Sequence, residues 1–158
     1  MSFPSLIGTS LLGDEVRLPA DLPAERTLVL CAFKQNQQAQ VDRWIERAVG
    51  ELGVAATPLG LAPDAVTAVI EVPCLGRQWR PVRRLIDGGM ASSIAQPPIL
   101  ARTITVYGDV GAILKAIEAP NRDAVQARVV RRSGEVLAAA AGEPEGPGWS
   151  AIAASLLG

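Results

Sequence analysis

The sequence predicts an α/β fold, a central mixed β-sheet with helices on both faces and an N-terminal β-hairpin. Three observations carry that reading. Residues 27–33 (TLVLCAF) form an unbroken apolar run of strand length, the pattern of a parallel strand covered on both faces. Directly after it, Val41, Trp44, Ile45, Ala48, Val49 and Leu52 recur at helical spacing, so a strand feeds an amphipathic helix. Near the end of the chain, two apolar segments flank Ser133-Gly134, a hairpin signal that adds an antiparallel component to the sheet.

The first expected element is a hairpin over residues 8–18, because Gly13-Asp14 is a turn dipeptide between Leu11-Leu12 and the alternating Val16 and Leu18. Pro19 and Pro23 bracket a loop before the strand at 27–33. The helix through residue 52 ends at Gly53, which suits a C-cap, and its outer face carries Asp42, Arg43, Glu46, Arg47 and Glu51. A loop with Pro58, Gly60 and Pro63 leads to a second apolar strand, 66–72, closed by Pro73 and Cys74. Leu75, Trp79, Val82 and Ile86 then fall at helical spacing as far as Gly88-Gly89, and Pro97-Pro98 breaks the chain. An alternating strand over 102–107 precedes Asp109, placed to N-cap a short helix carrying Val110, Ile113, Leu114 and Ile117. Strands at 125–131 and 136–140, a flexible loop GEPEGPG, and a terminal helix bearing Trp149, Ile152, Ala153 and Leu156 complete the order. No fixed-period repeat and no linker divides the chain, so residues 1–158 are expected to form one domain.

Composition removes several chemistries. Histidine is absent, which excludes Ser-His-Asp and Cys-His catalysis within the chain, together with histidine metal ligands. The two cysteines, Cys31 and Cys74, make at most one disulfide and no four-thiolate zinc site. Metal and cofactor sites are therefore not expected, and neither GxGxxG nor GxxxxGK[ST] occurs. The net charge is −1, so no general field recruits nucleic acid. The longest apolar runs fall well short of the ~18 residues of a membrane helix. MSFPSLIGTS has no basic segment before an apolar one, so the expected location is cytoplasmic with no integral membrane segment.

The order of elements resembles the thioredoxin fold in its peroxiredoxin-type elaboration. Phe3-Pro4, Gly13 and Val16-Arg17-Leu18 resemble the opening hairpin of that group. Residues 28–33 resemble its first core strand, 102–109 its inserted strand and turn, and Arg131-Arg132-Ser133-Gly134-Glu135-Val136 its last hairpin. Within the group, FPSLIGTSL, the Gln40-x-x-x-Trp44 helix and ILARTITVYGD resemble the mitochondrial ATP-synthase assembly factor family. The resemblance implies a single thioredoxin-like domain over 1–158 with an assembly or chaperone-like role toward a membrane complex. Thiol enzymes of this fold carry their nucleophile in the turn after the first core strand and a cis-proline before the penultimate strand. Here that turn reads Lys34-Gln35-Asn36-Gln37-Gln38-Ala39, and the second stretch reads Ala124-Val125-Gln126. Both marks of thiol chemistry are missing, which implies a non-catalytic version of the fold.

The candidate binding residues are accordingly the turn Lys34, Gln35, Asn36, Gln37 and Gln38, and the helix face of Arg77, Arg80 and Arg84, with Arg83 beside them. Four guanidinium groups on about two helical turns suit a carboxylate-rich partner. The expected partner is another protein, with a homodimer as a third reading of the apolar surplus. The competing reading is an atypical thiol oxidoreductase or peroxidase that rests on Cys74, at a strand end, with Cys31 as resolving thiol. Cys31 lies within an apolar strand, where a cysteine ordinarily packs as a small hydrophobe.

Overall fold

A computed structural model describes residues 2–56, 66–93 and 97–158; the expected loop with Pro58, Gly60 and Pro63 lies outside them. The hairpin is β1 (Leu6–Ser10) and β2 (Glu15–Leu18), and the apolar run is β3 (Arg26–Ala32). Helix α1 (Gln38–Leu52) follows, and Gly53 takes the left-handed conformation, φ 66°, in which its N–H caps Ala48 and Val49. Next come β4 (Thr67–Gly76), α2 (Arg83–Ser93), α3 (Pro97–Arg102), β5 (Ile104–Gly108) and α4 (Val110–Ala116). The chain closes with β6 (Gln126–Arg131), β7 (Val136–Ala141) and α5 (Gly146–Leu157).

These strands form one sheet in the order β2-β1-β5-β4-β3-β6-β7. β3, β4 and β5 run parallel, while β6 and β7 on one side and β1 and β2 on the other are antiparallel. The mixed sheet with an N-terminal hairpin is thus as expected. Alternation along β3 explains why both its faces are apolar. Leu28 and Leu30 pack with Trp44, Ile45, Trp149 and Ile152 from α1 and α5, whereas Val29 and Cys31 pack with Ile113 and Ile117 at α4 and with Phe3 and Leu18. The join of β1 to β5 needs Gly8, where a Cβ atom would stand 2.5 Å from the Ile104 side chain and 2.9 Å from the Thr105 carbonyl.

Three boundaries differ from the sequence reading. Pro73 does not close the second strand. It forms the last register pair with β3, opposite Ala32, and β4 then transfers its pairing to β5 through Cys74, Leu75 and Gly76. A residue without an N–H is tolerated where the strand changes neighbours. The segment after Gly76 begins as a tight 3-10 turn (Arg77–Val82) around Pro81, and α2 runs through Gly88-Gly89 to Ser93. Pro97 and Pro98 open α3, since the fixed φ of proline suits a first helical turn. No described helix is long and apolar enough to cross a membrane.

Candidate functional site

The C-terminal ends of the parallel strands β3, β4 and β5 are the edge where α/β sheets collect binding sites. Here they border a cleft of about 400 Å³. Phe33 stands at the end of β3, Cys74 and Gly76 at the end of β4, and Gly108 and Asp109 at the end of β5. Arg77 and Trp79 come from the 3-10 turn, and Arg122 from the segment before β6. Asp109 caps α4 through the N–H of Ala112 at 3.0 Å, so its carboxylate is committed. The side chains of Arg77 and Arg122 have no hydrogen-bond or ion-pair partner among the described residues. Arg122 carried no sequence signal, lying in a polar loop remote from the arginine cluster.

The turn from Lys34 to Gln38 adjoins this cleft and is bonded into the fold. Gln37 is buried, and its Oε1 accepts the N–H of Phe33 at 2.8 Å and that of Lys34 at 3.3 Å. Its Nε2 donates to the Arg122 carbonyl at 2.7 Å. Lys34 pairs with Asp123 at 2.6 Å, and Gln40 Oε1 accepts the Val125 N–H at 3.1 Å. The turn before α1 and the start of the helix are therefore stitched to the segment 122–125, which overlaps the proline-free stretch Ala124-Val125-Gln126. Gln38 donates to Asp42 at 2.9 Å and to Glu71 at 3.3 Å. Of the five candidate turn residues, Gln35 and Asn36 are exposed and make no side-chain bond among the described residues, while Lys34, Gln37 and Gln38 are engaged internally.

The arginine face divides in the same way. Arg80 donates to the Tyr107 carbonyl at 2.9 Å, which ties the 3-10 turn to β5. Arg83 and Arg84 line a second cavity of about 320 Å³ with Ser10, Leu11 and Asp87. Asp87 accepts from Tyr107 Oη at 2.6 Å and Thr105 Oγ1 at 3.1 Å. Burial, with Asp87 adjoining, pushes the Tyr107 phenol above its ordinary range. The apolar side of the segment is open: Trp79 is 49% exposed, Val82 42% and Leu85 77%. Trp79 and Val82 belong to the set at helical spacing in the sequence, with Leu75 and Ile86; Leu85 does not.

The two cysteines are brought together, but below the surface. Cys31 is 0% and Cys74 2% exposed, on neighbouring strands and on one face of the sheet. The Cys74 thiol donates to the Val72 carbonyl at 3.5 Å. The neighbouring Cys31 thiol and burial push the Cys74 thiol well above its ordinary value. A thiol held protonated and covered is a poor nucleophile.

Two buried charges had no sequence signal. Glu71 lies under the start of α1, 3.6 Å from Arg102, with its carboxyl pushed up by desolvation. Arg128, 4% exposed on β6, donates to the carbonyls of Ala127, Ile117 and Ala140 and to Gln126 Oε1 at 2.8–3.1 Å. Both sit in strands whose pattern otherwise reads as apolar. Sheet register, which the sequence does not display, places them.

No family model and no curated protein matches the chain. Solved structures do. The pneumococcal exposed lipoprotein thioredoxin Etrx1 of Streptococcus pneumoniae matches over 98% of both chains, with TM-score 0.59 and 13% identity. BsSco, a member of the Sco family of cytochrome c oxidase assembly proteins, matches over 99% of this chain and 91% of its own, with TM-score 0.57 and 12% identity. A thiol-disulfide oxidoreductase from Bacteroides fragilis matches over 99% of both chains, with TM-score 0.51 and 11% identity. At these identities the likeness shows the fold alone. The fold is thioredoxin-like.

Proposed function

We propose that this chain is a thioredoxin-fold protein that binds another protein without thiol exchange. The observation that carries the reading is the open face at residues 77–85, beside the cleft. Exposed Trp79, Val82 and Leu85 alternate there with Arg77 and Arg84, neither of which has a partner among the described residues. Exposed tryptophan, aliphatic side chains and arginine together make the composition of an interface core. Unpaired guanidinium groups select a carboxylate-bearing segment. The occupant is therefore an acidic stretch of a partner protein with apolar anchors.

An assembly or chaperone-like role toward a membrane complex such as ATP synthase rests on the likeness of FPSLIGTSL, Gln40-x-x-x-Trp44 and ILARTITVYGD to the assembly factors. In the fold, Gln40 and Trp44 serve internal bonding: the Trp44 indole donates to the Gly142 carbonyl at 2.8 Å. That role is the narrower form of the proposal. The second reading, thiol exchange through Cys74, draws on the placement of the two thiols on one face of neighbouring strands and on the names of the structural neighbours.

The test places a photo-crosslinker at Leu85 and identifies the captured protein. Capture of one acidic partner is expected. Its affinity should fall about tenfold or more in Arg77→Glu/Arg84→Glu, because each reversed charge faces a carboxylate of the partner. Capture of a second copy of this chain, with a dimer in sedimentation, or affinity unchanged by the reversal, contradicts the proposal.

A further inference from the structure

We propose that the cleft at the C-terminal ends of β3, β4 and β5 binds a small free carboxylic acid with an apolar body, held by Arg77 and Arg122. The topology brings these two residues to one edge from distant parts of the chain. Gly76, the last residue of β4, pairs with Gly108 of β5, so Arg77 leaves the sheet at the end of β4. β6 starts beside the C-terminal end of β3, with Gln126 opposite Cys31, so Arg122, just before it, stands near the same edge. Both residues line the cleft. Their backbones are tied down and their side chains are not. The Arg122 carbonyl accepts from buried Gln37 at 2.7 Å, next to the Lys34–Asp123 pair at 2.6 Å. The turn that carries Arg77 is held to β5 by the Arg80 bond to the Tyr107 carbonyl at 2.9 Å. Neither the Arg77 nor the Arg122 guanidinium has a hydrogen bond or ion pair among the described residues. Two positioned forks of unsatisfied N–H groups suit the planar oxygens of a carboxylate.

Charge and wall chemistry narrow the ligand. Among the described residues that line the cleft, Asp109 is the one acidic side chain, and its Oδ1 already accepts the Ala112 N–H at 3.0 Å. Two guanidinium groups against one carboxylate leave a single positive charge. A monocarboxylate balances that charge, whereas a phosphate monoester, at about −1.5 to −2, exceeds it. Phe33, Leu75, Val110 and the half-exposed Trp79 supply apolar wall for the body of the acid. The volume of about 400 Å³ falls within the range of about 300–1,000 Å³ usual for small-ligand pockets. The inference goes beyond the protein-binding reading: Arg122 lies outside the face at residues 77–85, and a free acid needs no partner protein.

The test titrates the protein with phenylacetate, followed by two-dimensional ¹H–¹⁵N NMR, with phenylacetamide, inorganic phosphate and the peptide acetyl-Ala-Ala-Phe as comparison ligands. Phenylacetate should shift the amides of Gly76, Arg77 and Gly108 and the Nε–H signals of Arg77 and Arg122 along one saturable curve. Phenylacetamide, with the same body and no charge, should fail to saturate at those concentrations, and phosphate and the peptide should bind more weakly than phenylacetate. Arg77→Gln and Arg122→Gln, checked for retained spectral dispersion, should each weaken phenylacetate about tenfold or more, the effect of losing a charge-assisted bond. Arg17→Gln, which removes the same charge on β2, should leave its affinity unchanged. Absence of a saturable shift, equal binding of the amide, tighter binding of phosphate, or affinity unchanged in Arg122→Gln overturns the site. Tighter binding of the peptide than of phenylacetate gives the cleft to a chain end and overturns the free acid as its ligand.

Discussion

Gln37→Ala should lower the unfolding free energy by about 2–4 kcal/mol, read as a fall in the urea midpoint at constant slope. The side chain is short of solvent and meets three backbone groups, accepting from Phe33 and Lys34 and donating to the Arg122 carbonyl. Alanine leaves all three without that partner, and the desolvation penalty of the stranded groups, more than the lost bonds, sets the magnitude. Gln37→Glu keeps the two acceptor bonds but turns a carboxylate oxygen toward the Arg122 carbonyl in a buried site, so its loss near neutral pH should shrink as the pH falls and the carboxyl protonates into a donor. No loss in either variant, or a Gln37→Glu loss that ignores pH, contradicts this account of the turn. The functional content is direct. The turn Lys34-Gln35-Asn36-Gln37-Gln38-Ala39, which holds no cysteine, is closed by this amide against the chain at 122–125.

Trp44→Ala should cost about 3–5 kcal/mol, the range for removing a large buried aromatic. Trp44 is fully buried under the sheet, its ring centroid 6.0 Å from that of Trp149 at an interplanar angle of 47°. Its indole also supplies the bond to the Gly142 carbonyl, which holds the start of the GEPEGPG loop. Trp44→Phe retains most of the buried area but strands that carbonyl, and should cost about 1–3 kcal/mol. Urea unfolding of the three proteins checks the order; a phenylalanine variant as unstable as the alanine one would show that the loop bond outweighs the ring.

That loop also marks how far the sequence was legible. A Gly/Pro-rich stretch reads as flexible, yet α1 ties it down. Arg43 forms a two-pronged pair with Glu143, Arg47 reaches the Pro144 carbonyl, and the Arg47 guanidinium lies 4.3 Å from the Trp149 ring centre. Such contacts join residues about a hundred positions apart, and local pattern carries no trace of them. Features with local causes were legible: the doubly apolar β3, the stripe of α1, the Gly53 cap, the Asp109 cap and the two hairpins. Features set by register were not. Whether Cys31 and Cys74 share a face depends on pairing β3 to β4 in one of two parities, and a shift of one residue would point them apart. The arginine cluster was legible as charge, but its division into Arg80, bonded to β5, and the unpaired Arg77 and Arg84 arises from the 3-10 turn, where helical spacing had been expected.

The central claim is that the fold is retained while thiol chemistry is not, and the reactivity of the two cysteines tests it most directly. Alkylation of the native, reduced protein would be followed against pH, together with its turnover of peroxide and of a disulfide substrate in the presence of a reductant. The account predicts that both thiols label slowly until denaturant is added, even near the ordinary cysteine pKa of about 8.5, and that neither substrate is consumed. Rapid labelling of Cys74 near pH 6 accompanied by turnover would contradict it and make the end of β4 the site of an enzyme.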